Sequence, residues 1–241
     1  MTSVVPASLA LATRNSDVLL AVLAETRGHE LLRRAGFSAM IGPGLLRVLV
    51  LDPEPGPRAI AEVGDLVAAA GERRVTVEDS FGVLDCAPWG LEGHELPVMV
   101  RQPGPVAAPA SGVREVGTAE QVAVFERVVL DGFPLPGFAP GEAFTPALLD
   151  RPEARMHLAE RDGEAAGACL SIADGQATGL YWVTTLPEHR SRGVGRALLN
   201  AALDGWDVPV TLTATEAGRP LYDSFGFDVV ARARWWSKPT A

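Results

Sequence analysis

Lysine is all but missing from this sequence. Lys238 is the only one, so positive charge is carried almost wholly by arginine. Positive charge is itself in deficit: 21 Lys and Arg stand against 30 Asp and Glu, a formal net charge of −9. That balance excludes the broad basic face needed for bulk binding to nucleic acid or to an anionic membrane surface. Any anion site must be local and built by geometry. The bias toward arginine points to a high-GC coding genome and a bacterial source. Cysteine is scarce too. Cys86 and Cys169 lie far apart, and neither has a second Cys or His at metal-ligand spacing, so no metal is expected. Two buried thiols in a reducing cytoplasm are the expectation. Long apolar runs are lacking as well. The N-terminal "MTSVVPASLALATR" has no basic leader, and no apolar stretch approaches the ~20 residues of a membrane span. A soluble, cytoplasmic chain with neither nucleic-acid nor membrane partner is expected.

What is present is an ordinary hydrophobic fraction of 47%, enough for a real core, in 241 residues that allow one large domain or two small ones. "RQPGPVAAPASG" (101–112) reads as a linker, since prolines cannot join a ladder and small residues bury little. The division is an N-terminal α/β domain over 1–105, a linker over 106–112 and a C-terminal domain over 113–241.

In the C-terminal part, "VREV" (113–116) is a short strand. Thr118 caps a helix that presents Val122, Phe125 and Val129 on one face. A turn-rich loop (132–142) and a second helix (Pro146–Asp150) follow. Residues 155–174 read as a hairpin turning at Asp162-Gly163. "ATGLYWVTT" (177–185) is a buried strand. Helix 195–203, strand 208–215, short helix 216–226 and strand 227–236 complete the order βααβββαβαβ. Signals in the N-terminal part are thinner: helices at Asp17–Glu25, His29–Ala35 and Pro57–Ala70, and strands at Leu45–Leu51, Arg73–Val77 and Pro97–Arg101. "DSFG" occurs at both 79 and 223, which raises a tandem repeat, although the two copies stand in different local contexts.

The densest signal is "PEHRSRGVGRALL" (187–199), which follows a buried strand and opens a helix. The first turn of a helix leaves N–H groups without partners, and its dipole favours an anion. Gly193 and Gly195 remove Cβ atoms, so a phosphate can approach the backbone. Arg190, Arg192 and Arg196 add charge at the rim. A P-loop would need Lys-Ser/Thr after the second glycine, where Arg196-Ala197 stands. A dinucleotide turn would need a small residue in place of Leu198.

What remains is R-x-x-G-x-G after a strand. It resembles the pyrophosphate motif of the GNAT acyltransferase superfamily, and "GRPLYDSFGF" resembles that family's second signature. The resemblance covers residues 113–241. It implies an α/β (α+β) GNAT fold: a mixed, mostly antiparallel sheet flanked by helices, with a smaller N-terminal α/β domain before it. That domain is either a degenerate GNAT-like copy without cofactor or an unrelated α/β cap. The resemblance further implies acetyl-CoA as cosubstrate. Val183, Thr184 and Thr185 would pair with the pantetheine arm beside a bulge that splays the sheet. The N–H groups of Ser191, Arg192, Gly193, Val194, Gly195 and Arg196 would hold the pyrophosphate. Tyr222 matches the family's frequent general acid, or else is a packing tyrosine near Phe225.

A general base is harder to find. Freeing a lysine-like amine at neutral pH costs about 4–5 kcal/mol, and an α-amine only about 1 kcal/mol. The strand before the turn carries no acid. The nearest acids are Asp174, Asp131 and Glu142, each a base or a solvated loop residue. Phe133, Leu135, Phe138 and Trp182 would form an apolar acceptor pocket or a core lid. Two functions remain: an N-acetyltransferase acting on the amine of a small molecule or peptide, or a non-catalytic acyl-CoA-binding regulatory module. A homodimer is left open.

Overall fold

The computed structural model describes residues 6–108, 112–133 and 138–239. Leu135 and residues 109–111 of the expected linker lie outside the described residues. The chain forms two compact units, one of residues 1–100, 213–220 and 227–241, the other of residues 101–212 and 221–226.

The first unit opens with helix α1 (Ala7–Arg27). Gly28 ends it: at φ 66° its N–H turns back onto Glu25 O, and that of His29 onto Ala24 O, at 3.1 and 2.8 Å. The expected helices at Asp17–Glu25 and His29–Ala35 are therefore corrected. The first is part of a longer helix, and the second is strand β1 (Glu30–Arg34). It is a strand because it pairs antiparallel with β2 (Phe37–Ile41), an element the sequence did not disclose. Tertiary pairing overrides a weak local preference. Among the described residues, α1 is the one helix long and apolar enough to cross a membrane by length and composition, which corrects the expectation of no such stretch. The polar run Thr13 to Asp17 interrupts its composition, yet Thr13, Asn15, Leu19, Leu20, Val22 and Leu23 are buried within the fold.

Strand β3 (Leu45–Val50), helix α2 (Pro57–Ala68), strand β4 (Arg74–Asp79), a 3-10 turn and strand β5 (Glu92–Arg101) follow. The last strand of the chain, β11 (Asp228–Ser237), lies antiparallel between β4 and β5, giving the order β1-β2-β3-β4-β11-β5. Strands β3 and β4 are parallel and paired row by row from Leu45↔Arg74 to Leu49↔Glu78. Arg47 on β3 is ion-paired with buried Glu78 on β4. The first "DSFG" is a turn organised by buried Asp79, whose carboxylate accepts the N–H groups of Phe81, Gly82 and Leu84 at 3.0, 2.8 and 2.7 Å.

The second unit contains β6 (Val113–Glu115), α3 (Ala119–Gly132), β7 (Ala154–Arg161), β8 (Glu164–Ala173), β9 (Thr178–Thr185), α4 (Val194–Leu203) and β10 (Val210–Thr213), with strand order β10-β9-β8-β7-β6. α5 (Arg219–Asp223) follows β10. The helix expected at Pro146–Asp150 is a short 3-10 turn with proline at its start. Thr118 caps α3, its hydroxyl accepting the Gln121 N–H at 3.3 Å, and Val122, Phe125 and Val129 are buried. Asp162 and Gly163, at φ 55° and 84°, make the β7–β8 hairpin turn. The architecture is mixed α/β: a mostly antiparallel sheet flanked by helices. Each unit runs through the same sequence of elements: a helix, three antiparallel strands, a helix, and a fourth strand parallel to the third.

Candidate functional site

Strand β9 is where the second unit departs from a regular sheet. It pairs with β10 in the rows Val210↔Thr178 and Thr211↔Gly179, then runs on to Thr185. On its other edge the ladder with β8 slips between Ala168↔Thr184 and Leu170↔Tyr181. Trp182 and Val183 therefore face Cys169 alone, and Trp182 adopts φ 48°, a left-handed value for a bulky residue. This is a β-bulge, and it turns the backbone of Val183 to Thr185 beyond the last registered β10 row. Room for it is made by Gly132 at the end of α3, where a Cβ would fall 2.3 Å from Thr184 Cγ2.

Past Thr185, a 3-10 turn (Pro187–His189) leads into the glycine-containing segment. Ser191 and Gly193 both have positive φ, 58° and 84°. The α4 ladder begins with the Ala197 N–H donating to Gly193 O at 3.0 Å. The N–H groups of Val194, Gly195 and Arg196 precede it, in the turn where a helix has no internal acceptors to offer. A Cβ at Gly193 would meet nothing within 4 Å, so the backbone of the turn is exposed at this residue. At Gly195 it would touch Leu221 Cδ2 at 3.0 Å, so that glycine serves the packing of α4 against α5. Arg161 Nη1 donates to Arg192 O (3.2 Å) and Arg190 Nε to Thr185 O (3.3 Å), fixing both sides of the turn. Arg190, Arg192 and Arg196 are exposed. An exposed backbone, a row of N–H donors and three cations fit a pyrophosphate. Ser191 to Arg196 would hold one, and the free run of β9 suits an extended amide-bearing arm.

Tyr222 on α5 is buried. Burial, with Cys169 adding to it, raises its phenol well above the ordinary value. Burial likewise pushes the Cys169 thiol to about 12. Both groups are thus held protonated at neutral pH. Two of the three candidate bases are engaged in turns. Asp174 Oδ1 accepts the N–H groups of Gln176 and Ala177 at 2.8 Å each, and Glu142 Oε2 that of Ala139 at 2.9 Å. Asp131 is exposed on α3. Of the loop aromatics, Phe133 and Phe138 are half-buried, as is Trp182.

One residue close to this region escaped the sequence reading. Glu126 on α3 is buried, and its carboxylate accepts three backbone N–H groups: Gly141 at 2.5 Å, Ala143 at 2.7 Å and Phe144 at 3.0 Å. The Phe144 ring then packs edge-on against Phe125 and against Trp182, at 5.1 and 5.0 Å between centroids. A signal existed: Glu126 stands on the buried stripe of α3, one turn from Val122 and Val129.

Residues 152–229 match the family model of the acetyltransferase (GNAT) domain. No curated protein matches the chain in sequence. Among solved structures, a GCN5-related N-acetyltransferase from Kribbella flavida is similar with a TM-score of 0.66 and 20% identity, covering 95% of this chain and 96% of that one. A GCN5-related N-acetyltransferase from Sphaerobacter thermophilus is similar with a TM-score of 0.57 and 17% identity, over 97% and 96% of the two chains. A tandem GNAT protein from the clavulanic acid biosynthesis pathway gives 0.54 and 16%, over 95% and 96%. At these identities the structures establish the fold, which is that of the GNAT acetyltransferases. The segment matched by the family model, 152–229, is the one that carries the bulge, the glycine turn and Tyr222.

Proposed function

We propose that this GNAT domain transfers the acetyl group of acetyl-CoA to the amine of a small molecule or peptide. Acetyl-CoA supplies an activated thioester carbonyl and a thiol leaving group. The observation that carries the reading is the exposed glycine turn at 191–196, where the α4 ladder starts only at the Ala197 N–H, beside a strand that runs on past its parallel neighbour. In this reading the N–H groups of Ser191 to Arg196 bind the pyrophosphate, with Arg190, Arg192 and Arg196 adding charge. Val183, Thr184 and Thr185 pair with the pantetheine arm. The new N–C bond forms as the C–S bond breaks, and the amine proton departs to water. Tyr222, kept protonated by burial, donates to the leaving sulfur. β9 carries no carboxylate, which favours an acceptor whose amine is already neutral near pH 7, since an α-amine costs only about 1 kcal/mol to free.

The first unit we read as a GNAT-like repeat that takes no cosubstrate, in the manner of a tandem arrangement. Its elements follow the same order as the second unit's. Its β3–β4 pair is closed row by row where β9 and β10 part. Its β3–α2 turn, "LDPEPGPR", carries Asp52, Glu54 and three prolines, and proline offers no N–H to an anion.

Thiol release from acetyl-CoA, screened across aminoglycosides, polyamines, amino acids and peptides, tests the activity. Binding of acetyl-CoA with no thiol release against any amine class would identify a regulatory acyl-CoA-binding module instead.

A further inference from the structure

Among the described residues, three that are not glycine have positive φ: Asp162, Trp182 and Ser191. Asp162 stands in a hairpin turn and Ser191 in the glycine turn, where short polar side chains tolerate that conformation. Trp182 is bulky and lies inside a strand. At φ 48° its Cβ crowds the following carbonyl. Such a conformation persists only where its surroundings over-determine it. Contacts on both sides of Trp182 do so. The Thr184 hydroxyl donates to Trp182 O at 2.9 Å, across the stretch that the β8 ladder skips. Thr184 is 3% exposed, and its methyl fills the notch left by Gly132, where a Cβ would fall 2.3 Å from Cγ2. A methyl fixed there also fixes where the hydroxyl points, because both groups sit on one Cβ. On the other side, the Phe144 ring meets the Trp182 indole edge to face at 5.0 Å, and the Phe144 N–H is held by buried Glu126 at 3.0 Å.

We infer that the Thr184 side chain is a positioning group: with Phe144 braced by Glu126, its hydroxyl locks Trp182 in the left-handed conformation and so aims the 183–185 backbone at the acyl-CoA arm. The inference rests on the acyl-CoA reading above. A bulge places one extra residue in one strand of a pair. Relaxing Trp182 to extended backbone would remove the bulge and slip the remainder of β9 by one residue against β8. A one-residue slip reverses the edge that each N–H and C=O beyond it faces, so residues 183–185 would turn toward β8 the groups now offered to the arm. The hydroxyl itself does not touch the cosubstrate, because it is engaged with Trp182 O. Its effect passes through the backbone that it holds.

The test is calorimetric binding of acetyl-CoA to the full chain and to Thr184→Val, Thr184→Ser and Phe144→Leu, with folding checked by circular dichroism and urea unfolding. Thr184→Val keeps the shape that fills the Gly132 notch and loses the donor. Thr184→Ser keeps the donor and loses the methyl. Thr184→Val should bind acetyl-CoA roughly fivefold or more weakly than the wild type, the scale of one hydrogen bond. Thr184→Ser should recover most of that loss. Phe144→Leu removes the brace on the other side of the indole and should weaken binding too; it decides the matter where Thr184→Val does not fold. A packing role alone would lower the urea midpoint of these variants and leave their affinity unchanged. That result, or an equal loss in Thr184→Val and Thr184→Ser, would overturn the inference while leaving the acyl-CoA reading intact. A wild type that binds no acetyl-CoA would remove both.

Discussion

Phe144 meets Trp182 edge to face, their ring centroids 5.0 Å apart and their planes at 83°. The first residue ends a backbone segment seated on Glu126, and the second is the bulge residue of β9. A carboxylate on α3 is thus linked through one aromatic contact to the irregularity that opens the candidate site.

Replacing Glu126 by Ala should leave three buried N–H groups without an acceptor. Each unsatisfied donor costs about 1–3 kcal/mol, reduced where water enters, so a loss of roughly 2–4 kcal/mol is expected. Urea unfolding measures it. Glu126→Gln, which keeps one acceptor oxygen, should lose less. If Glu126→Ala unfolds at the wild-type midpoint, the carboxylate does not seat the loop.

Gly193→Val should weaken acetyl-CoA binding at least tenfold, about 1.4 kcal/mol. The glycine sits at φ 84° in the turn read as the phosphate cradle, where a side chain would project from the exposed backbone. A β-branched side chain also opposes the left-handed conformation by about 1–2 kcal/mol. Calorimetry on folded protein decides it, and unchanged affinity would count against the cradle.

Tyr222→Phe should lower kcat by about 10²–10³-fold and leave acetyl-CoA affinity nearly unchanged, because the hydroxyl acts on the departing sulfur. Its phenol is raised above the ordinary value, so wild-type activity should show no loss from tyrosine ionisation up to about pH 10. A wild-type kcat in the variant would make Tyr222 a packing residue.

Alkaline pH should destabilise the fold. Burial raises Cys86 and Cys169 each to about 12 and Tyr222 above its usual value, with Asp79 and Asp85 adding at Cys86 and Cys169 adding at Tyr222. The unfolded chain releases these protons from about pH 9 to 10, while the folded chain retains them. Stability is therefore full below about pH 9 and falls as pH rises toward 12. Urea midpoints between pH 8 and 11 should decline, and less steeply in Cys86→Ala/Cys169→Ala. A flat profile in the wild type would contradict the burial assignment.

Titration should saturate at one acetyl-CoA per chain. The closed β3–β4 ladder gives the first unit no slot, and the 51–58 turn, with three prolines, Asp52 and Glu54, offers an anion fewer N–H groups and two opposing charges. Two equivalents of similar affinity would overturn the reading of that unit as a repeat without cosubstrate.

The local chemistry was legible in the sequence because it depends on near neighbours. Thr118, Asp162-Gly163 and the glycines of the 187–199 stretch impose caps and positive-φ turns wherever they stand, and the stripe of Val122, Phe125 and Val129 marks a buried helix face. The family motif is likewise local. What the sequence could not show depends on partners distant along the chain. Residues 30–34 became a strand because Phe37–Ile41 lies beside them. Glu126 became a loop anchor because Gly141 to Phe144 return to it. Arg101 became a buried cation because Phe225 O, distant in the chain, comes within 2.9 Å. The last strand, legible as a strand, was assigned its place between β4 and β5 only by tertiary pairing. Caps and turns are decided by a few consecutive dihedrals, whereas ladders and buried charges are decided by which remote groups satisfy them.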